Sequence, residues 1–285
     1  MRKESFLMKI WKVVWPLIIY SAAQIVVTLI GVIIFGAREE YAVGFILAAA
    51  LLCIPIYYRM YQKDGQDAQE EQPNIPMSGK DYFVIILCGA TLAVAMNNLI
   101  AITPLPVWFP GYEETNEVIF GGGMLLQILS AGIFGCIVEE MCHRGVTYLR
   151  MKRYWGKKKA IVLSALLFGI YHMNMVQAVY TFVLGLFFAW VYERYQSLWA
   201  PIIAHMSANL CVILLGSSTL MLHILEGLVG YCLVTCISVL LFCYGVRYLK
   251  QTNPIIELEF IEKEPDTLKK LTEEYKEQEK GERRS

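Results

Sequence analysis

Residues 13–35 decide the fold class, because they read VVWPLIIYSAAQIVVTLIGVIIF without one charged side chain. At about 1.5 Å per residue, a helix of this length reaches roughly 34 Å and crosses a hydrocarbon core of roughly 30 Å. The run is too long for a cleaved signal peptide, and no small-residue cleavage site follows it. It is therefore expected to be a transmembrane helix.

The composition of the whole chain agrees with that first segment. Hydrophobic residues make up 56% of the chain, charged residues make up 18%, and the mean hydropathy is +0.48. These values are far from those of soluble domains. Eight stretches are long enough, or nearly so, to cross a bilayer: 13–35, 42–58, 82–102, 124–148, 160–173, 176–192, 198–216 and 221–249. The sequence predicts an all-α, polytopic membrane helix bundle of about eight transmembrane helices, in which the short fifth stretch meets the sixth in a tight turn near Asn174.

Positive charge predicts the orientation, because cytoplasmic loops retain Lys and Arg. If the eight stretches alternate across the bilayer, 24 of the 25 Lys and Arg residues fall on one side and only Arg38 falls on the other. We therefore expect a multi-pass protein of the cell membrane with both termini in the cytoplasm. Its expected parts are a transmembrane domain at 1–249, with a functional core at about 124–216, and a charged cytoplasmic tail at 250–285.

Composition and motifs also argue against several classes of function. The sequence carries no signature of nucleic-acid binding and no glycine-rich loop that would hold a phosphate. All eight cysteines fall within apolar stretches, where a free thiol behaves as a small hydrophobic group. The pattern therefore indicates neither a disulfide framework nor a thiolate metal site.

Function is expected among the polar residues inside the spans, because a charge near the bilayer centre costs about 3 kcal/mol on insertion scales. Three short runs contain such residues, one each in the fourth, fifth and seventh stretches. They are Glu139, Glu140, His143 and Arg144 in VEEMCHR, Phe168 and His172 in FGIYH, and His205 and Asn209 in HMSAN.

Spacing predicts how each run is arranged, since residues four apart lie on the same face of an α-helix. Glu140 can pair with Arg144, which leaves Glu139, rotated by about 100°, as the free carboxylate. Counted from the predicted cytoplasmic boundaries, Glu139, His172 and His205 lie roughly 16, 18 and 10 Å deep. Residues from three helices are therefore expected to meet in one site.

In order, the three runs match the pattern Glu-Glu-x-x-x-Arg, Phe-x-x-x-His and His-x-x-x-Asn/Asp. The chain thus resembles the CAAX prenyl protease and bacteriocin-processing (CPBP, Abi) family of intramembrane endopeptidases. The resemblance has motif support over roughly residues 126–215, while the other spans match in number only. It implies a hydrolase that cuts a peptide bond of a membrane-associated peptide or protein substrate.

The resemblance also implies a role for each motif residue. Glu139 would be the general base that takes a proton from water, and His172 would help to hold that water. Glu140 and Arg144 would be structural partners. His205 and Asn209 would stabilise the oxyanion. This chemistry is sound, because a carboxylate in a poorly hydrated site is a better base near neutral pH, and donors aimed at the oxyanion stabilise the transition state.

Two alternatives remain open at this stage. Glu139, His172 and His205 are a chemically acceptable ligand set for a divalent metal such as zinc, although no His-Glu-x-x-His motif is present. A non-catalytic bacteriocin-immunity or scaffold protein could use the same cavity to bind a peptide. His143 lies at a variable position of the first motif, and we expect it to face the basic loop that follows rather than join the site.

Overall fold

The computed structural model describes residues 4–38, 41–67, 76–112, 117–118, 122–218 and 227–252. Of the expected tail at 250–285, only 250–252 are described, as the end of the last helix, and the remainder lies outside the described residues. The chain divides into two compact units, Met1–Gly245 and Val246–Ser285. All the candidate site residues belong to the first unit.

Every regular element within the described ranges is helical, so the predicted all-α class is confirmed. A single helical turn, Leu105–Trp108, follows α3. The eight longer helices are α1 (Phe6–Phe35), α2 (Ala42–Asp67), α3 (Gly79–Ala101), α4 (Met124–Trp155), α5 (Lys157–Tyr171), α6 (Met175–Tyr195), α7 (Trp199–Gly216) and α8 (Leu228–Thr252).

Seven of the helices in the described part of the chain are long and apolar enough to cross a membrane, one fewer than the sequence predicts. The exception is α5, which has only 15 residues and a length of about 22 Å. The predicted tight turn is present after it: Met173 has a φ of 51°, and the Asn174 side chain caps α6 by accepting from the amides of Val176 and Gln177. The orientation of the termini stays a prediction.

Helix α4 is continuous over 32 residues, but its winding changes along its length. Ile128–Phe134 and Met141–Tyr148 are π-helical, and the α-helical Gly135–Glu140 lies between them. A Cβ atom at Gly135 would lie 2.6 Å from the Ser130 carbonyl oxygen, which accepts the Gly135 amide hydrogen bond. The π turn therefore requires glycine there. Such wide turns occur frequently at functional sites.

Small residues let the helices that carry the site approach one another closely. A Cβ atom at Gly89 of α3 would lie 2.2 Å from the Ala204 carbonyl oxygen of α7. One at Gly169 of α5 would lie 2.7 Å from the Ala178 carbonyl oxygen of α6. These contacts bring α7 against α3 and α5 against α6 backbone to backbone, which fixes the positions of the polar residues that α5 and α7 carry.

Two buried acidic residues fasten the basic end of α4 to neighbouring helices. Asp64 of α2 accepts hydrogen bonds of 2.7 and 3.2 Å from the Arg150 guanidinium. Glu193 of α6 accepts from the Tyr148 hydroxyl at 2.7 Å and from Lys152 Nζ at 2.9 Å. The positive charges at this end of α4 are thus structural in part, and they hold α2, α4 and α6 in register.

Candidate active site

The three sequence motifs converge around the middle of α4. The first motif lies on α4 itself, the second ends at the C-cap of α5, and the third lies on α7. Direct contacts join all three: His205 of α7 contacts Glu140 of α4, and Phe168 of α5 packs against both His205 and Arg144. The predicted meeting of three helices is present in the structure.

Glu140 and Arg144 form the ion pair that their spacing predicts. Arg144 Nη1 donates to Glu140 Oε1 at 2.9 Å, and both side chains are 0% exposed. The second π segment begins at Met141, so the pair forms across a change of helical winding. Because neither side chain is exposed, each charge depends on the other to remain buried.

The rest of the Arg144 guanidinium is enclosed by α5 and α6. Nη2 donates to the Gly185 carbonyl oxygen at 3.0 Å, and the guanidinium carbon lies 4.6 Å from the Phe168 ring centroid and 5.4 Å from that of Phe188. A Cβ atom at Gly185 would lie 3.2 Å from Nη2. Glycine therefore provides both the acceptor and the space beside it.

His205 lies between the two carboxylates of the first motif. Its Nδ1 is 2.9 Å from Glu140 Oε1, and its Nε2 is 3.9 Å from Glu139 Oε2. The ring stacks on Phe188, with centroids 4.9 Å apart and planes at 26°. Since a carboxylate can only accept, Nδ1–H donates to Glu140 and Nε2 is directed toward Glu139.

Glu139 differs from its neighbour in exposure and in partners. Its side chain is 20% exposed whereas that of Glu140 is 0% exposed, and its closest ionic partner among the described residues, His205 Nε2, lies beyond hydrogen-bond distance. The hydroxyls of Tyr20, Tyr171 and Tyr180 are near enough to interact with it electrostatically. Glu139 is thus the accessible carboxylate of the pair.

His172 is the C-cap residue of α5, and its orientation is fixed by its own helix. Nδ1 lies 2.8 Å from the Phe168 carbonyl oxygen. Because a carbonyl can only accept, Nδ1 carries the hydrogen and Nε2 presents a lone pair. The ring also packs edge-on against Phe168 at a centroid distance of 4.9 Å, and it interacts electrostatically with Glu139.

Asn209 lies on α7 four residues after His205 and contacts α4 at a different point. Its Nδ2 donates to the Ala131 carbonyl oxygen at 2.9 Å and lies 3.4 Å from Cys136 Sγ. Both contacts are to the α4 segment that precedes Glu139. In this arrangement Asn209 joins α7 to the first π turn.

The expectation that His143 faces the basic loop is wrong. Its side chain is 1% exposed, and its ring packs against Phe168 and Tyr171 of α5. The π segment that begins at Met141 changes the direction in which residue 143 points, so that it faces α5. His143 therefore belongs to the surroundings of the site.

The metal-ligand alternative can be tested against the positions of the donor atoms. Within the described ranges, no group of three His, Cys, Asp or Glu side chains is arranged to hold a metal ion. The Nδ1 contacts of His172 and His205 with Phe168 and Glu140 do not argue against ligation, because they leave both Nε2 atoms available. As they are positioned, the donor atoms do not form a ligand set among the described residues, although the residue types remain suitable for one.

Sequence reasoning missed two residues that shape the site, Gly185 and Phe188 of α6. Gly185 accepts from Arg144, and Phe188 packs on both Arg144 and His205. A glycine inside a helical pattern can indicate a close approach, and this signal was available at Gly185. Nothing in the local pattern distinguishes Phe188 from the other aromatic residues of α6.

Comparisons with known proteins agree with the motifs. Residues 121–211 match the family model described as type II CAAX prenyl endopeptidase, Rce1-like, and all the motif residues lie inside that range. The "Putative membrane peptidase YdiL" of Bacillus subtilis (strain 168) is 29% identical over 90 residues, which cover 32% of this chain and 37% of that relative. The match thus spans little more than a third of the relative's length. No solved structure matches the chain.

Proposed function

We propose that the chain is an intramembrane endopeptidase in which Glu139 activates the attacking water, since residues 121–211 match the model of the Rce1-like type II CAAX prenyl endopeptidase family. The observation that carries the proposal is the contrast between the two adjacent carboxylates. Glu140 is fully buried and bound to Arg144 and His205, whereas Glu139 is 20% exposed and lies 3.9 Å from His205 Nε2.

In the proposed reaction, a water molecule attacks the carbonyl carbon of the scissile peptide bond while Glu139 takes one of its protons. The carbon–nitrogen bond then breaks, and Glu139 passes the proton to the leaving amine. His172 Nε2 accepts a hydrogen bond from the same water, since its Nδ1 is engaged by the Phe168 carbonyl. A positioned general base of this kind contributes typically about 10²- to 10⁴-fold to the rate.

His205 is the proposed principal oxyanion donor. Its Nδ1 donates to Glu140, which holds the ring with Nε2 toward Glu139, and a hydrogen on Nε2 would donate to the oxyanion. Asn209 is the proposed second donor. Its Nδ2 carries two hydrogens; one donates to the Ala131 carbonyl oxygen, and the other faces only Cys136 Sγ, a weak acceptor that an oxyanion could replace.

The proposed substrate is a peptide or protein associated with the membrane. We propose that it is cut on the side of the membrane where the termini of this chain lie. The motif residues belong to helices with membrane-spanning character or, for His172, to the end of α5, which packs among them. A peptide bond can reach Glu139 among these helices only if the substrate chain enters the bilayer or lies against it. We propose that both termini and the connection after α4 are cytoplasmic, as the charge distribution predicts.

The test of this proposal uses purified protein in lipid nanodiscs and mass spectrometry of membrane peptides. Wild-type protein should release products that Glu139→Gln protein does not, with a loss of about 10²-fold or more. Glu193→Gln is the matched control, since Glu193 is also a buried glutamate but binds Tyr148 and Lys152 away from the site. Equal turnover by wild type and Glu139→Gln would refute the proposal.

A further inference from the structure

His143 is a buried titratable residue that the proposed mechanism does not use. It lies on α4 four residues after Glu139, and its side chain is 1% exposed. Its Nδ1 has no hydrogen-bond partner among the described residues, although the atom is fully buried. A buried ring nitrogen without a partner is unfavourable, so the favourable contacts of this residue are to be sought in its ring.

The contacts of His143 are made by its ring. The centroid lies 4.9 Å from that of Phe168, with planes at 78°, and 5.4 Å from that of Tyr171, with planes at 75°. Both are edge-on arrangements of the kind that aromatic pairs prefer. The two partners lie three residues apart on the last turn of α5, so His143 holds that turn from the α4 side.

The same turn carries His172. The Phe168 carbonyl oxygen accepts from His172 Nδ1, and the Phe168 ring packs edge-on against the His172 ring at 4.9 Å. Tyr171 precedes His172 directly and stacks on Tyr20 of α1 at 6.1 Å. A displacement of Phe168 and Tyr171 would therefore change the direction of His172 Nε2.

We propose that His143 is a positioning residue, whose ring, rather than its nitrogen atoms, fixes the last turn of α5 and so directs His172 toward Glu139. The expected effect on turnover rests on the proposed function. The expected effect on the orientation of His172 does not. A misplacement of about 1 Å in a catalytic group can cost about 10²-fold in rate, so a ring that touches no substrate can still control turnover.

Three substitutions at residue 143 separate ring packing from polarity. His143→Phe keeps a ring and removes the nitrogens, His143→Gln keeps polarity and removes the ring, and His143→Ala removes both. We expect His143→Phe to keep kcat within about 3-fold of wild type, and the other two to lower kcat by about 10-fold or more with KM within about 2-fold. Met151→Ala is the control for truncation of a buried α4 side chain, since Met151 is 3% exposed.

A second readout does not depend on activity. The chain has four histidines, so protein labelled with ¹⁵N-histidine gives few imidazole signals, and His172→Asn identifies the one from His172. We expect the Nδ1-protonated form of His172 to persist in His143→Phe and to be lost or broadened in His143→Ala. If wild type cleaves nothing, the proposed function fails while this measurement still tests the role of His143.

Two results would overturn the inference. Activity retained by His143→Gln and lost by His143→Phe would assign a polar role to the imidazole, such as holding a water molecule. A His143→Ala protein with wild-type kcat and an unchanged His172 signal would show that the ring positions nothing.

Discussion

Replacing either member of the Glu139–Glu140 pair by glutamine should give two different defects. Glu140→Gln leaves the Arg144 charge without a counter-ion at a site where both side chains are 0% exposed. Breaking a buried ion pair by removing one partner costs about 3–5 kcal/mol, and the Gly185 carbonyl that remains on Nη2 places the expected loss near 3 kcal/mol. Glu139→Gln removes a partly exposed group 3.9 Å from its ionic partner and should cost less than about 1 kcal/mol.

Thermal unfolding with a thiol-reactive dye measures this difference directly. Cysteine side chains buried in the folded protein become reactive only on unfolding, and they report the loss of tertiary structure. They are Cys53, Cys88, Cys136 and Cys142. Glu140→Gln should unfold at a clearly lower temperature than wild type. Glu139→Gln should unfold at nearly the wild-type temperature although the proposed mechanism predicts that it is inactive.

Removing both charges gives the stricter test. The double variant Glu140→Gln, Arg144→Met leaves no isolated charge, and an apolar replacement of a buried ion pair is often neutral. It should therefore be more stable than Glu140→Gln alone, which gives a coupling of about 1–3 kcal/mol in a double-mutant cycle. Equal unfolding temperatures for Glu139→Gln and Glu140→Gln, or additive effects in the cycle, would refute the assignment of a structural role to Glu140.

Three further predictions concern other parts of the molecule. A cysteine placed at Lys157 should resist an impermeant reagent added outside intact cells, and labelling there would reverse the proposed topology. Gly185→Ala should lower stability by about 1–3 kcal/mol and reduce kcat, because a Cβ atom there meets Arg144 Nη2 at 3.2 Å; Gly216→Ala, where nothing lies within 4 Å, should do neither. Turnover should survive exhaustive chelation, and about one transition metal per chain with activity that follows occupancy would instead favour the metal-dependent alternative.

Local spacing predicted those features of the site that depend on a single helix. Glu140 and Arg144 are four residues apart and pair as expected. The turn at Asn174 follows from a residue type that caps helices, and its side chain accepts two amide hydrogens. The convergence of the three helices was predicted from an estimate of depth; the structure shows the contacts between them, through His205 with Glu140 and Phe168 with both His205 and Arg144, while the depths stay a prediction.

Features that depend on contacts between helices could not be predicted from one sequence. His143 is buried and Gly185 contacts Arg144 because of the face that α4 presents to α5 and α6. The two π segments determine which face that is, and the local sequence gives no reliable signal for them.

The π segments also explain how two neighbouring glutamates on one helix come to occupy different environments. A uniform α-helix already separates adjacent side chains by about 100°, so Glu140 binds His205 Nδ1 while Glu139 lies 3.9 Å from Nε2 on the other side of the same ring. The π segment that begins at Met141 keeps Arg144 within hydrogen-bond distance of Glu140, and it directs His143 toward α5. Arg144 and His205 thereby both bind Glu140 Oε1, and neither forms a hydrogen bond to Glu139. The buried carboxylate therefore binds both groups, and the accessible one is free of a hydrogen bond to either, as the proposed role of Glu139 as a base requires.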